Sequence, residues 1–360
     1  MTENVLQVIA EDGTAVEAKP DLSREDLLRM YEAMVKARAV DERGMNLQRQ
    51  GRISFYVPAT GQEASHVGAA FALRDSDWVV PSYRNPGISL LRGISIQMFI
   101  DQLFGNERDV VKGRQMPNHF AFSSINFLSI SSPISTQIPQ AAGLAMAMQY
   151  RDTDQVCMTF CGDGGTSEGD FHCGLNFAGV YQSPIVFVVE NNGWAITCPV
   201  ERQTASESMA IKAKAYGFEG IRVDGNDCLA VYAAAKEAVE KARSGGGPTL
   251  IETMTYRMGP HSSSDDPRRY RSDEEVASWA EQDPIQRFNR YLLANIDWTE
   301  EEDEALHARC HEEAADAARS ADAAPLPPDA SMFEDVFAEM PPHLQEQLDE
   351  LRDHLGRQGQ

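Results

Sequence analysis

Apolar and polar positions fall in blocks along this chain, and the period changes from block to block. Residues 156–160 (VCMTF) and 184–189 (PIVFVV) are short apolar runs closed by turn residues, the pattern of strands buried on both faces. Between them, residues 170–182 carry Phe171, Leu175, Ala178 and Val180 at helical spacing, and one strand–helix–strand crossover fits that length. Such a unit brings Gly162, Asp163 and Gly164 beside Asn191 and Asn192 at the carboxyl ends of neighbouring parallel strands. Open α/β sheets bind ligands at that edge.

The same reading extends in both directions. Ser23, with Asp26 three residues on, caps a helix that runs to Gly51. Residues 53–73 pass from an aromatic loop into a helix, DWVVPSYRN (77–85) reads as a buried strand and turn, and a helix covers 95–105. The polar segment 106–135 has weak periodicity, and a stretch that long inside a compact domain points to function. A small-faced helix, 138–150, precedes the central unit. After it come a helix over 206–216 ended by Gly217, a strand over 220–223, a helix over 229–243 capped by DGND, and a last core strand in TLIETMTY. Residues 257–272 are loop-like, and two or three helices follow through 319. A proline linker (APLPPDA) leads to an apolar anchor of Met332, Phe333, Val336 and Phe337, then an amphipathic helix. Residues 1–22 form an acidic lead that pairs as a short ribbon or stays mobile. The expected fold is α/β with a mostly parallel central sheet, an N-terminal helix and a C-terminal helical tail. Its parts are a lead (1–22), the α/β domain (23–295), a helical extension (296–323) and a linker with terminal helix (324–360).

Charge narrows the partners. With 32 basic and 55 acidic side chains the formal charge is −23, so a nucleic-acid backbone is excluded as a partner. Six cysteines lie scattered without a CxxC pair, and Cys157 and Cys161 read as core filling. No apolar run approaches the roughly 18 residues that suggest a membrane span. The first residues have neither a basic nor an apolar leader pattern. A soluble, cytoplasmic protein is expected.

The chemistry at the strand tips follows from residue type. Glycines flanking Asp163 let the backbone approach an anionic group and present N–H groups to it. One carboxylate with one amide oxygen suits Mg2+, which takes its remaining ligands from phosphates and water. GxxxxGK[ST] is absent, and GxGxxG fails because Ser167 stands where the third glycine belongs.

GDG at 162–164 followed by NN at 191–192 resembles the thiamine diphosphate motif, and the likeness spreads from about Leu27 to Leu344. ISFYVPATGQEASHVG, KGRQMPNH, ISSPISTQIPQAAG, TYRMGPHSSSDDPRRYRS and MFEDVFAEMP carry it in order. The chain resembles the α subunit of the thiamine-dependent decarboxylating component of 2-oxo acid dehydrogenase complexes, most of all the branched-chain type. The resemblance implies a three-layer thiamine diphosphate-binding fold. It also implies oxidative decarboxylation of a branched-chain 2-oxo acid with acyl transfer to a lipoyl group. Asp163, Asn192 and the Trp194 backbone carbonyl would hold Mg2+, while the Trp194 side chain packs. Tyr83, Arg84, Ser132, Ile134, Gly162, Gly164, Gly165 and His261 would contact thiamine diphosphate. His261, with an unperturbed pKa near working pH, would be the acid–base residue.

Further expectations come from the same likeness. Ser131, Pro133, Thr136 and Gln137 match a monovalent-cation loop of some relatives, though turn and cap roles account for them equally. Phe55, Tyr56 and Tyr83 match the edge of a substrate pocket, with hydrophobic core as the rival for the first two. Asp266, Arg268, Tyr270 and Arg271 match a loop that docks the lipoyl domain. Two positions depart from the pattern: Glu190 stands where relatives often have Arg, and Ser82 where they often have Gln. The carboxylate that activates the cofactor comes, in the family, from a separate β subunit. The chain is therefore expected to be inactive alone and to work in an α2β2 assembly with a lipoyl acyltransferase as partner. Rival readings are a pyruvate or acetoin enzyme, a self-sufficient transketolase-like enzyme, and a non-catalytic scaffold subunit.

Overall fold

The computed structural model describes residues 5–17 and 19–358. The chain runs β1 (Val5–Leu6), α1 (Arg24–Arg49), α2 (Glu63–Phe71), β2 (Trp78–Val80), α3 (Pro86–Leu91), α4 (Ile96–Phe104), α5 (Gln137–Tyr150) and β3 (Cys157–Gly162). It continues through α6 (Gly169–Tyr181), β4 (Ile185–Asn191), a small ribbon of β5 (Trp194–Ala195) and β6 (Cys198–Pro199), β7 (Glu219–Asp224), α7 (Cys228–Arg243) and β8 (Thr249–Met254). Five helices follow: α8 (Asp273–Ala280), α9 (Pro284–Asn295), α10 (Glu300–Asp322), α11 (Ser331–Glu334) and α12 (Pro342–Gln358). Six strands form one sheet in the order β1-β7-β8-β4-β3-β2, with every pairing parallel.

The apolar runs of β3 and β4 feed two cores. Met158, Phe160, Val186 and Val188 point into a core shared with α1, α2 and α7. Their alternates Cys157, Cys161, Ile185, Phe187 and Val189 point into a second core with α5 and α6. That alternation makes the molecule three-layered, and both flanking layers keep water from the strands. In register, Gly162 lies opposite Glu190 and Asn191 opposite Met254. The tips of β2, β3, β4 and β8 therefore open on the same edge. Among the described residues no helix is long and apolar enough to cross a membrane.

The lead pairs as the short ribbon expected of it, with the Ala10 N–H on the Thr14 carbonyl (2.7 Å) and the Val16 N–H on the Val8 carbonyl (2.9 Å), and β1 joins the sheet edge along β7. Asp227 Oδ2 secures it by accepting from the backbone N–H of Val8 and Ile9, both at 2.6 Å. The helix expected over 206–216 is a 3-10 helix confined to Ala210–Tyr216. Buried Glu252 takes the N–H groups of Met209 and Ala210, which sets its start. The apolar anchor is not packed on this chain, because Met332, Val336 and Phe337 are all more than half exposed. One short helix, α3, was not expected; Pro86 opens it where a missing N–H costs nothing.

Candidate active site

A cavity of about 440 Å³ opens at the strand tips. Asp163, just past β3, is fully buried. Its Oδ1 accepts from the backbone N–H of Asn192 (3.3 Å) and its Oδ2 from Gln203 Nε2 (2.5 Å). Burial raises its pKa. Asn192, just past β4, accepts from the Trp194 N–H through Oδ1 (3.1 Å) and donates through Nδ2 to Gln62 Oε1 (3.0 Å). Gly164 and Gly165 are required by close approach. A Cβ on the first would meet the Ala195 Cβ at 2.5 Å, and on the second the Ser135 Oγ at 2.7 Å.

Two guanidiniums stand close to the site, Arg84 in the cavity lining and Arg257 behind it. Arg84, past β2, donates to the carbonyls of Pro58 and His261, the latter at 3.0 Å. Arg257, on the continuation of β8, donates to the carbonyls of Trp194 (3.2 Å) and Ile196 (2.7 Å). Among the described residues neither guanidinium pairs directly with a carboxylate, although Arg84 is 4 % and Arg257 1 % exposed. Burial, and then the charge of Arg84, bring Arg257 down to about 10. Both guanidiniums face His261 Nδ1, at 3.3 and 3.4 Å. That nitrogen must accept, so Nε2 carries the proton of the neutral ring. Burial first, then Arg84 and Arg257, lower the His261 pKa to about 4, which corrects the expectation of an unperturbed imidazole. Tyr83 meets the His261 ring edge-on at 6.2 Å.

Glu190, the departure near the diphosphate position, is buried and engaged. Its Oε2 accepts from Asn85 Nδ2 (2.8 Å), and its Oε1 lies 3.6 Å from His66 Nδ1. Ser82 is also turned onto Asn85, donating to its Oδ1 at 2.8 Å. Ser131, Ser132, Ile134, Gln137 and Phe55 line the cavity. Pro133 and Thr136 are not among its walls. Gln137 Nε2 is occupied by the Phe160 carbonyl at 2.8 Å. Tyr56 does not reach the cavity: it is fully buried and donates to Asp41 Oδ1 at 2.9 Å, so core is the right reading for it. In the 266–271 loop, exposed Asp266 and Arg268 pair with each other. Arg271 turns inward to the carbonyls of Arg257, Met258 and Gly259, which removes it from a docking surface. Tyr270 bridges Asp265 Oδ2 (2.5 Å) and Arg257 (2.8 Å).

Four residues of the site had been missed. Gln62 and Arg257 sit in quoted stretches, ATGQE and TYRMG, as plain polar residues near a turn and a strand end. His119, in PNH, places Nε2 2.8 Å from Ser132 Oγ. Gln203 had no signal at all.

The donor set fits a small hard cation beside an anion. Asp163 is a buried carboxylate without an ion-pair partner, next to an amide oxygen. No cluster of three His, Cys, Asp or Glu side chains exists among the described residues, so amide and carbonyl oxygens must complete such a site. The Trp194 carbonyl already accepts from Arg257, and its second lone pair is what it could offer. The Arg84 guanidinium, in the cavity lining and hydrogen-bonded only to neutral groups, suits a diphosphate.

A sequence profile of the dehydrogenase E1 component family matches residues 31–329. The chain is similar to the 3-methyl-2-oxobutanoate dehydrogenase subunit alpha of Mycobacterium tuberculosis, at 45% identity over 98% of this chain and 94% of that protein. It is 42% identical to the mitochondrial 2-oxoisovalerate dehydrogenase subunit alpha 1 of Arabidopsis thaliana, over 98% of this chain and 76% of the plant protein. The mitochondrial 2-oxoisovalerate dehydrogenase subunit alpha of Homo sapiens is also 42% identical, over 95% of this chain and 77% of the human one.

Proposed function

Because the chain belongs to the dehydrogenase E1 component family, we propose a role for each wall of its cavity in the oxidative decarboxylation of branched-chain 2-oxo acids. The chain is the α subunit of a branched-chain 2-oxo acid dehydrogenase, an oxidoreductase that uses thiamine diphosphate. The observation that carries the assignment of residues is the cavity itself. It brings Asp163 and Asn192, at adjoining strand tips, into one cavity with Arg84 and His261.

Asp163, Asn192 and the Trp194 carbonyl would hold Mg2+, and Arg84 with Tyr83 would hold the diphosphate. When bound, the cofactor supplies an electron sink for the carbon–carbon bond that breaks. His261, neutral and protonated at Nε2, presents that N–H as a hydrogen-bond donor; it can hand on a proton only from its imidazolium form, which burial and the two guanidiniums disfavour until a bound anion offsets them. Glu190, which also lines the cavity, has one carboxylate oxygen held by Asn85, while the other lies 3.6 Å from His66 Nδ1. Phe55, Val57 and Ile134 give the cavity an apolar side fitting a branched acyl chain. A β subunit in an α2β2 assembly would supply the activating carboxylate, and a lipoyl acyltransferase would receive the acyl group.

Carbon dioxide release by the α and β subunits together, across a panel of 2-oxo acids, tests this. The acid derived from valine should be preferred by kcat/KM, and the α subunit alone should release none. A clear preference for pyruvate would overturn the substrate, and turnover by the lone chain would overturn the divided site.

A further inference from the structure

Gln62 is buried at 1 % exposure in the cavity wall, and nothing in the family likeness gives it a role. Its orientation can be worked out atom by atom. The backbone N–H of Trp194 can only donate, so the Asn192 atom facing it is oxygen. The other end of that carboxamide, Nδ2, therefore faces Gln62, and the Gln62 atom that receives it is Oε1 at 3.0 Å. Gln62 Nε2 then points the other way, buried and without a hydrogen-bond partner. Buried donors are nearly always satisfied, and one that is not calls for an explanation.

The segment that carries Gln62 is tightly held. Asp41 Oδ2 accepts from the Ala59 N–H (2.7 Å) and the Thr60 hydroxyl (3.0 Å). Glu63 Oε2 accepts from the Gly61 N–H (2.9 Å), and Thr255 donates to the Gly61 carbonyl (2.9 Å). Gly61 has φ +98°, and a Cβ there would strike the Tyr256 carbonyl oxygen at 2.4 Å, so only glycine serves. The carboxamide is thus a preorganised donor beside the amide at the β4 tip, a placement suited to binding an anionic oxygen.

We propose that Gln62 is a cofactor-binding residue: its Nε2 donates to a diphosphate oxygen, while its Oε1 fixes which face of the Asn192 carboxamide meets the metal. This rests on the thiamine diphosphate reading above. The two roles separate by substitution. Gln62→Glu keeps an acceptor for Asn192, removes the donor and puts a negative charge in its place. Gln62→Met keeps the length and removes both.

The test is thiamine diphosphate affinity with Mg2+, read by protein fluorescence quenching in the assembled α and β subunits. Both variants should raise Kd at least about tenfold, the scale of one hydrogen bond to a charged oxygen. The 2-oxo acid KM at saturating cofactor should stay within about twofold of wild type, a shift worth only a few tenths of a kcal/mol. If Gln62→Glu does not assemble, the Met variant carries the measurement. Cofactor affinity within twofold of wild type in an assembled variant would overturn the proposal, as would an effect confined to the 2-oxo acid KM. Failure of the wild-type assembly to bind thiamine diphosphate would instead sink the reading beneath it.

Discussion

His261 shows how neighbours decide what one imidazole can do. Burial disfavours its cation most and the two guanidiniums that converge on its Nδ1 add to that, so its folded pKa is lowered to about 4 against about 6.5 for a free side chain. The shift is downward, so between pH 6.5 and 4 the unfolded chain binds more protons and stability falls as the pH drops through that window. Histidine NMR titration of the cofactor-free protein should find this ring neutral at pH 6, with Arg257→Met moving its midpoint upward. A midpoint near 6.5 in the wild type would refute the role given to the guanidiniums. This residue was legible from its place in a Gly/Pro loop beyond a strand, but its protonation was not. Of the perturbing charges, Arg257 stands four residues earlier on the same segment, but Arg84 comes from the turn after β2, and no local pattern announces their convergence. Gln203 and Gln62 were hidden for the same reason: an amide shows its use only when its partners are known.

Among the elements, the long apolar ones were plain in the sequence and the short polar ones were not. β3 and β4 stood out because strands covered on both faces leave mostly apolar runs, whereas β8 showed only Leu250 and Ile251 before its buried Glu252. β1 has two residues and no run to read; pairing with β7 makes it a strand, and Asp227, more than two hundred residues away, holds the residues just after it. That one carboxylate caps α7 through Oδ1, accepting from Leu229 and Ala230, and anchors the lead through Oδ2. Asp227→Ala should therefore cost about 3 kcal/mol, a lost cap plus orphaned buried N–H groups. Urea denaturation would measure it, and limited proteolysis should show earlier cleavage in the first ten residues. Unchanged stability would mean the lead contributes nothing to the fold. The mistaken anchor has the opposite origin. Met332, Val336 and Phe337 look like core by composition, yet this chain offers them no cover.

The whole molecule is a three-layer sheet protein with one deep, two-signed cavity at its strand tips. Acid and amide at the tips of β3 and β4 share this cavity with the Arg84 guanidinium from the β2 turn, so groups that suit a cation and a group that suits a diphosphate stand in one site. A net charge of −23 does not oppose this, because the field within the cavity is set by the buried groups at its walls. The central claim is that Asp163 and Asn192 grip the metal on which the cofactor's diphosphate is held. Crystals of the α and β assembly with thiamine diphosphate and Mn2+ in place of Mg2+ test it through the anomalous signal of the manganese. The account predicts one peak bonded to Asp163 and Asn192, with the diphosphate against Arg84. A manganese peak away from both side chains, beside an ordered diphosphate, would contradict it.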